Sequence, residues 1–241
     1  MNETPRSDVT INGGGSVAAG TYETVTINGG GTITGDIICT ALKINGAGTC
    51  RGSVQAGTVF VNGTATVDGS VQANEMTVNG DATVRAGIGV GRLVARGNLV
   101  ADVGIAAHSV ELTGVIRCSG DLKADTLRAE GALSASHVAV ESFDLAAYGA
   151  SKITSIEAQR VVVRAPGSLA DVLMFFTDKE LTAETIRASE VWLEHTVANV
   201  VSAGNATVGR DSRIGLVQYS GSYTLADNGL VSEARRVEAD S

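Results

Sequence analysis

The sequence predicts an all-β fold, a single parallel β-helix (solenoid) of about 17 residues per turn, and three observations predict it. A Gly returns at every seventeenth position, at Gly29, Gly46, Gly63, Gly80, Gly97, Gly114 and Gly131. Apolar columns keep the same register, from Ile27 to Ala129 two positions ahead of each Gly and from Val25 to Leu127 four ahead. Within a unit the apolar residues fall two apart (Val25, Ile27; Ile37, Cys39), which is strand spacing. A unit this short cannot hold a strand, a crossover helix and a return strand, which need about thirty residues. Each unit is therefore a coil of short strands, stacked on the next in parallel at about 4.8 Å.

Residues 1–8 form a short polar lead and the main β-helix runs over 9–163. Its first turn is one residue short, because Ile11-Asn12-Gly13 precedes Ile27-Asn28-Gly29 by 16. The Asn-Gly pairs at 28–29, 45–46, 62–63 and 79–80 predict corners built on positive φ, which both residues tolerate. Gly35, Gly52, Gly69 and Gly120 mark a second bend. Beyond Ala139, Asp144 and Lys152 enter apolar columns while Ile156, Val161 and Val163 stay in phase, so one irregular turn is expected. Residues 164–181 break the register as an insertion loop. The turns resume over 182–222, with Ile186 to Ala203, Val191 to Val208, Val197 to Ile214 and Val200 to Val217 each one full period apart. In the 223–241 tail, Leu230, Ala234 and Val237 read as the apolar side of a short capping helix.

Hydrophobic residues make up 44% of the chain and aromatics 4%, which predicts an aliphatic core too narrow for rings. A net charge of −8 without a basic stripe argues against nucleic acid and against attraction to anionic lipid. The absence of a signal-peptide core and of an apolar window long enough to span a bilayer predicts a cytoplasmic protein. Cys39, Cys50 and Cys118 sit in core columns and read as buried thiols in a reducing compartment.

Candidate chemistry is sparse. His108, His137 and His195 share no column with one another or with a Cys, so no metal site is predicted. Gly87-Ile88-Gly89-Val90-Gly91 imitates a phosphate loop, but another coil follows it where a helix should, so neither nucleotide nor cofactor is expected. Arg51, Asp68, Arg85 and Asp102 alternate in sign down one column as a surface charge ladder. The glycosidase alternative, Asp68 with Asp102, puts two turns between the carboxylates, too far apart for a retaining pair and marginal for an inverting one. The column Asn28, Asn45, Asn62 and Asn79 reads either as turn preference or as a stack of bonded amides. Val172, Leu173, Met174, Phe175 and Phe176 form an apolar cluster that either tucks over the helix or serves a membrane or partner.

The ends of such a helix are rows of unpaired strand groups beside an apolar core, and edges of that kind recruit other edges. The predicted polymer interface is Val9, Ile11 and Val17 at one end and Ile214, Leu216, Val217 and Tyr219 at the other. Since every turn has nearly the same cross-section, the contact can repeat as a filament of the chain with itself.

The turns V-x-I-N-G-x-x-x-V-x-G-x-V, seen over Val25–Ile37 and Val59–Val71, resemble the bactofilins. The runs Thr182–Ile186, Glu194–Val201 and Asp211–Tyr219 are similar to longer bactofilin-like proteins of Gram-positive bacteria. The resemblance implies a right-handed helix and nucleotide-independent assembly into non-polar filaments that organise cell shape, the envelope or motility. It also implies a scaffold and no enzyme, with a related bactofilin-like subunit as a candidate second partner. The family's N-terminal membrane-targeting tail is not read here, which leaves 172–176 as the candidate for peripheral contact with the inner face of the membrane. The competing class is a β-helix enzyme or binding protein acting on carbohydrate. Against a hexapeptide-repeat acyltransferase stand the uneven apolar steps, six from Ile27 to Ile33 and then four to Ile37.

Overall fold

In a computed structural model, the described residues are 6–164, 180–226 and 228–238, and they fall into two units, Met1–Gly120 and Asp121–Ser241. The cluster Val172–Phe176 and most of the 164–181 insertion lie outside the described residues. Both units are parallel β-solenoids, and strands are the regular elements of the described residues.

In the first unit an eight-residue strand alternates with a four-residue one. After β1 (Val9–Ile11) and β2 (Gly14–Val17) come β3 (Gly20–Ile27), β4 (Gly30–Ile33), β5 (Ile37–Ile44) and β6 (Ala47–Cys50). The pattern repeats through β7 (Val54–Val61), β8 (Thr64–Val67), β9 (Val71–Val78) and β10 (Asp81–Val84). It closes with β11 (Ile88–Ala95), β12 (Asn98–Ala101), β13 (Ile105–Leu112) and β14 (Val115–Cys118). Long strands pair with long and short with short, each residue with its equivalent one period later: Val25 with Leu42, Val59 with Met76, Leu93 with Val110. The first coil is the short one, Ile11 pairing with Ile27, as expected. Alternate side chains turn inward, and Ile27, Ile44, Val61, Val78, Ala95 and Leu112 form a buried column.

The recurrent Gly is explained by contact and not by φ. Among the described residues positive φ occurs at Gly20, His195, Asp211 and Asn228, so the Asn-Gly corners do not use it, contrary to expectation. A Cβ built on Gly46, Gly63, Gly80, Gly97 or Gly114 instead falls on the carbonyl oxygen of the Gly one coil earlier, far inside van der Waals contact. Those corners are themselves bonded from coil to coil, Asn45 N to Ile27 O at 2.8 Å and Ala47 N to Gly29 O at 2.9 Å, so the backbone cannot retreat. Only hydrogen fits there.

The second unit comprises β15 (Asp121–Ala147), β16 (Ser151–Arg164), β17 (Leu181–Leu193), β18 (Thr196–Val208), β19 (Arg213–Tyr219), β20 (Tyr223–Leu225) and β21 (Leu230–Arg236). Its coils vary in length. Phe143 pairs with Val161, one position beyond the period of the first unit, which turns Asp144 outward to Arg164 at 2.5 Å. Lys152 is likewise exposed while Ile153 takes the interior. The expected constant period over 182–222 is corrected: Ile186 pairs with Val201 and Val191 with Ala206, two positions short of it, and Val201 with Val217, one short. A slip of two keeps every side chain on its face, so alternation alone cannot tell the shorter coil from the longer. The shorter coils turn at His195 and Asp211 through positive φ, and buried hydroxyls satisfy the tightened backbone there. Ser212 donates to Leu193 O at 3.3 Å and Thr196 Oγ1 to Glu194 O at 2.9 Å.

Two further expectations fail. The capping helix is a strand: β21 pairs in parallel with β19, Ile214 with Val231 and Val217 with Ala234, both one full period apart, so the repeat simply runs one coil further. Rings are not excluded from the interior, because Phe143 is among the largest fully buried side chains. The same strand buries alanines at 129, 135 and 147, which frees volume for one ring. All three cysteines are buried. Burial, reinforced by Cys50, pushes the Cys39 thiol up to about 11.

Replacing Gly63 by Ala should cost at least about 2 kcal/mol, measured by denaturant unfolding, because the clash is with backbone. Gly30→Ala, whose Cβ meets open space, should stay within about 0.5 kcal/mol of the parent. Cys39 should resist iodoacetamide in the native chain at neutral pH and react freely once unfolded. Since its folded pKa lies above its unfolded one, its contribution to stability is intact below pH 9.0 and declines as pH rises towards about 11.

Candidate assembly interface

At the N-terminal edge, β1 and β2 each have one strand neighbour among the described residues, β3 and β4. Of the three residues predicted there, Ile11 and Val17 are buried and Val9 is half-buried. There is open space where the two strands join: a Cβ on Gly13, or on Gly14 at the start of β2, would meet nothing within 4 Å. Apolar side chains thus lie directly beneath a backbone row that has one strand neighbour among the described residues.

The C-terminal prediction is off by one coil. Ile214, Leu216, Val217 and Tyr219 lie on β19, which is paired on one side with β18 and on the other with β21. The outermost strands among the described residues are β20 and β21, where Leu225 is 49% exposed and Leu230 64%. The signal that could have found them is Val231, one full period after Ile214. Tyr223, on this edge, stacks on Tyr219 of β19 at 5.4 Å, and burial raises the Tyr223 hydroxyl pKa above its ordinary 10.0.

The asparagine column is a bonded ladder that begins one coil earlier than expected. Each amide donates to the one before it: Asn28 to Asn12 at 2.8 Å, Asn45 to Asn28 at 2.8 Å, Asn62 to Asn45 at 3.0 Å and Asn79 to Asn62 at 2.8 Å. Arg96 closes it, donating to Asn79 Oδ1 at 3.2 Å. A guanidinium only donates, so it requires an oxygen opposite and thereby sets the sense of every amide below. The rungs tie the outer corners of the first coils in one register.

Of the predicted charge ladder, Asp68 and Arg85 meet at 2.9 Å. A second ladder was not read from the sequence: Arg92 bridges Glu75 at 3.1 Å and Glu111 at 3.0 Å. Its members are spaced 17 and 19 apart, so a search at fixed period misses the diagonal partner. His137 lies against Ser155 at 2.6 Å and His195 near Asp211 at 3.5 Å. Among the described residues no helix is long and apolar enough to cross a membrane.

Residues 4–89 match the family model described as Bactofilin, polymer-forming cytoskeletal. That stretch holds the N-terminal edge and the asparagines of the ladder. No curated protein and no solved structure matches the chain.

Asn62→Ala removes one bond given and one received, and should lower stability by about 1–2 kcal/mol in denaturant unfolding. Asn62→Asp keeps the acceptor for Asn79 but loses the donor to Asn45, and should fall between Ala and the parent.

Proposed function

We propose, for a chain whose residues 4–89 match the bactofilin family model, a structural scaffold that polymerises end to end without nucleotide. The observation that carries the reading is the N-terminal edge, a strand row with one neighbour among the described residues, over an apolar core and within the stretch that matches a polymer-forming family. The exposed Leu225 and Leu230 on the last strands of the second unit support a second contact of the same kind. Burying both edges satisfies strand groups and removes apolar surface from water, at about 25 cal/mol per Å². The partner is the chain itself. A related subunit with the same coil cross-section would fit the same edges. A cytoplasmic filament that organises the envelope, cell shape or motility is the setting, with peripheral membrane contact assigned to Val172–Phe176. The role is mechanical, and no catalytic residue is assigned.

Negative-stain microscopy and pelleting of the purified chain without nucleotide should give filaments. Val9→Arg or Leu230→Arg, each placing a charge in one edge, should cap one contact and leave short oligomers, and the double variant should stay in the supernatant. A parent that remains monodisperse, or a double variant that pellets like the parent, would sink the reading.

A further inference from the structure

The second unit carries a lateral groove that end-to-end assembly does not use. Trp192, the sole Trp of the chain, stands outward on β17 and is 49% exposed. Val162 on β16 and Thr207 on β18 are its neighbours in register, and Arg160, Glu190 and Asn205 form the adjoining outward row. These six side chains line a groove of about 180 Å³. Val162, although on the outer face, is only 7% exposed, so the floor is apolar.

The rim keeps unspent hydrogen-bonding capacity. Arg160 Nε and Glu190 Oε2 stand 3.8 Å apart, too far for a hydrogen bond. Asn205 Oδ1 is held by Ser222, through its backbone N at 3.0 Å and its Oγ at 2.8 Å, which leaves the amide NH2 as the donor on offer. Donors (Arg160, Asn205), an acceptor (Glu190) and a hydroxyl that does both (Thr207) therefore surround a half-bare indole.

We propose that this groove binds a pyranose unit of a neutral oligosaccharide. A pyranose has one C–H face that packs on an indole and a rim of hydroxyls that each donate and accept, which is the combination present here. Adjacent strands lie about 4.8 Å apart, so side chains from three of them span a ring and its linkage. A net charge of −8 and the Glu190 carboxylate disfavour an anionic ligand. An extended peptide adding itself as a strand is disfavoured as well. β16, β17 and β18 are each paired on both sides and offer no free backbone edge.

The test titrates the full chain with chitotetraose, cellotetraose and maltotetraose. Binding is read by Trp192 fluorescence and, independently, by saturation-transfer NMR on the sugar. At least one probe should give saturable changes in both. Trp192→Ala should weaken binding about tenfold or more, with Trp192→Phe intermediate. Asn205→Ala should weaken it several-fold, each variant keeping the parent's thermal unfolding curve. Absence of saturable signal from all three sugars, or undiminished binding by Trp192→Ala, overturns the proposal. So does a sugar-silent parent whose side-to-side association in sedimentation is lost in Trp192→Ala, which assigns the groove to a second copy.

Discussion

Everything in the first unit depends on one constraint, the backbone hydrogen bond from each coil to the next. It sets the coils about 4.8 Å apart and puts each residue over its equivalent in the neighbouring coil. No side chain can escape its counterpart, so each column needs a residue type that tolerates its own company. Aliphatic groups stack inside. Outside, the amide can donate to and accept from a copy of itself, and the Asn12–Asn79 column is the result. Charges do not tolerate their own kind, and accordingly Asp68 sits beside Arg85, and Arg92 between Glu75 and Glu111.

The same constraint explains which parts of the fold could be read from residues alone. A strict period over seven coils revealed the parallel stack and the buried columns, because in-register pairing writes itself into the sequence. Where the coil length changes, that writing becomes ambiguous. The partner of Ile186 lies two positions from the expected one, and the side chains still face inward, so the error leaves no trace in polarity. Val200 and Val201 are both Val, which hides the one-residue slip before Val217. The tail failed for a different reason. Leu230, Ala234 and Val237 do sit at helical spacing, but Val231 and Ala234 also continue the columns of Ile214 and Val217, and pairing to an existing edge prevails over a short isolated helix.

The glycines teach a related lesson. Asn-Gly suggests a turn that needs positive φ, and the location of the corners was legible on that basis. The cause was not, because the close approach of Gly63 to the Gly46 carbonyl exists only once two coils are stacked. The C-terminal edge lies one coil beyond the position the period suggests, and Trp192 leaves no mark in the pattern because an aromatic on an outward position has no periodic signature. Arg160, Glu190 and Asn205 single it out, and their adjacency to it arises across strands.

The Gly and Asn columns also make length a discrete quantity. Excising 47–63 would join Gly46 to Thr64, bringing the strand Thr64–Val67 where Ala47–Cys50 had been, with Gly still over Gly and Asn over Asn. Removing a single residue instead puts a side chain where only hydrogen fits, for the remainder of the column. Descent within such a chain should therefore proceed by gain or loss of whole coils, each changing its length by one strand spacing and leaving both of its ends chemically as they were.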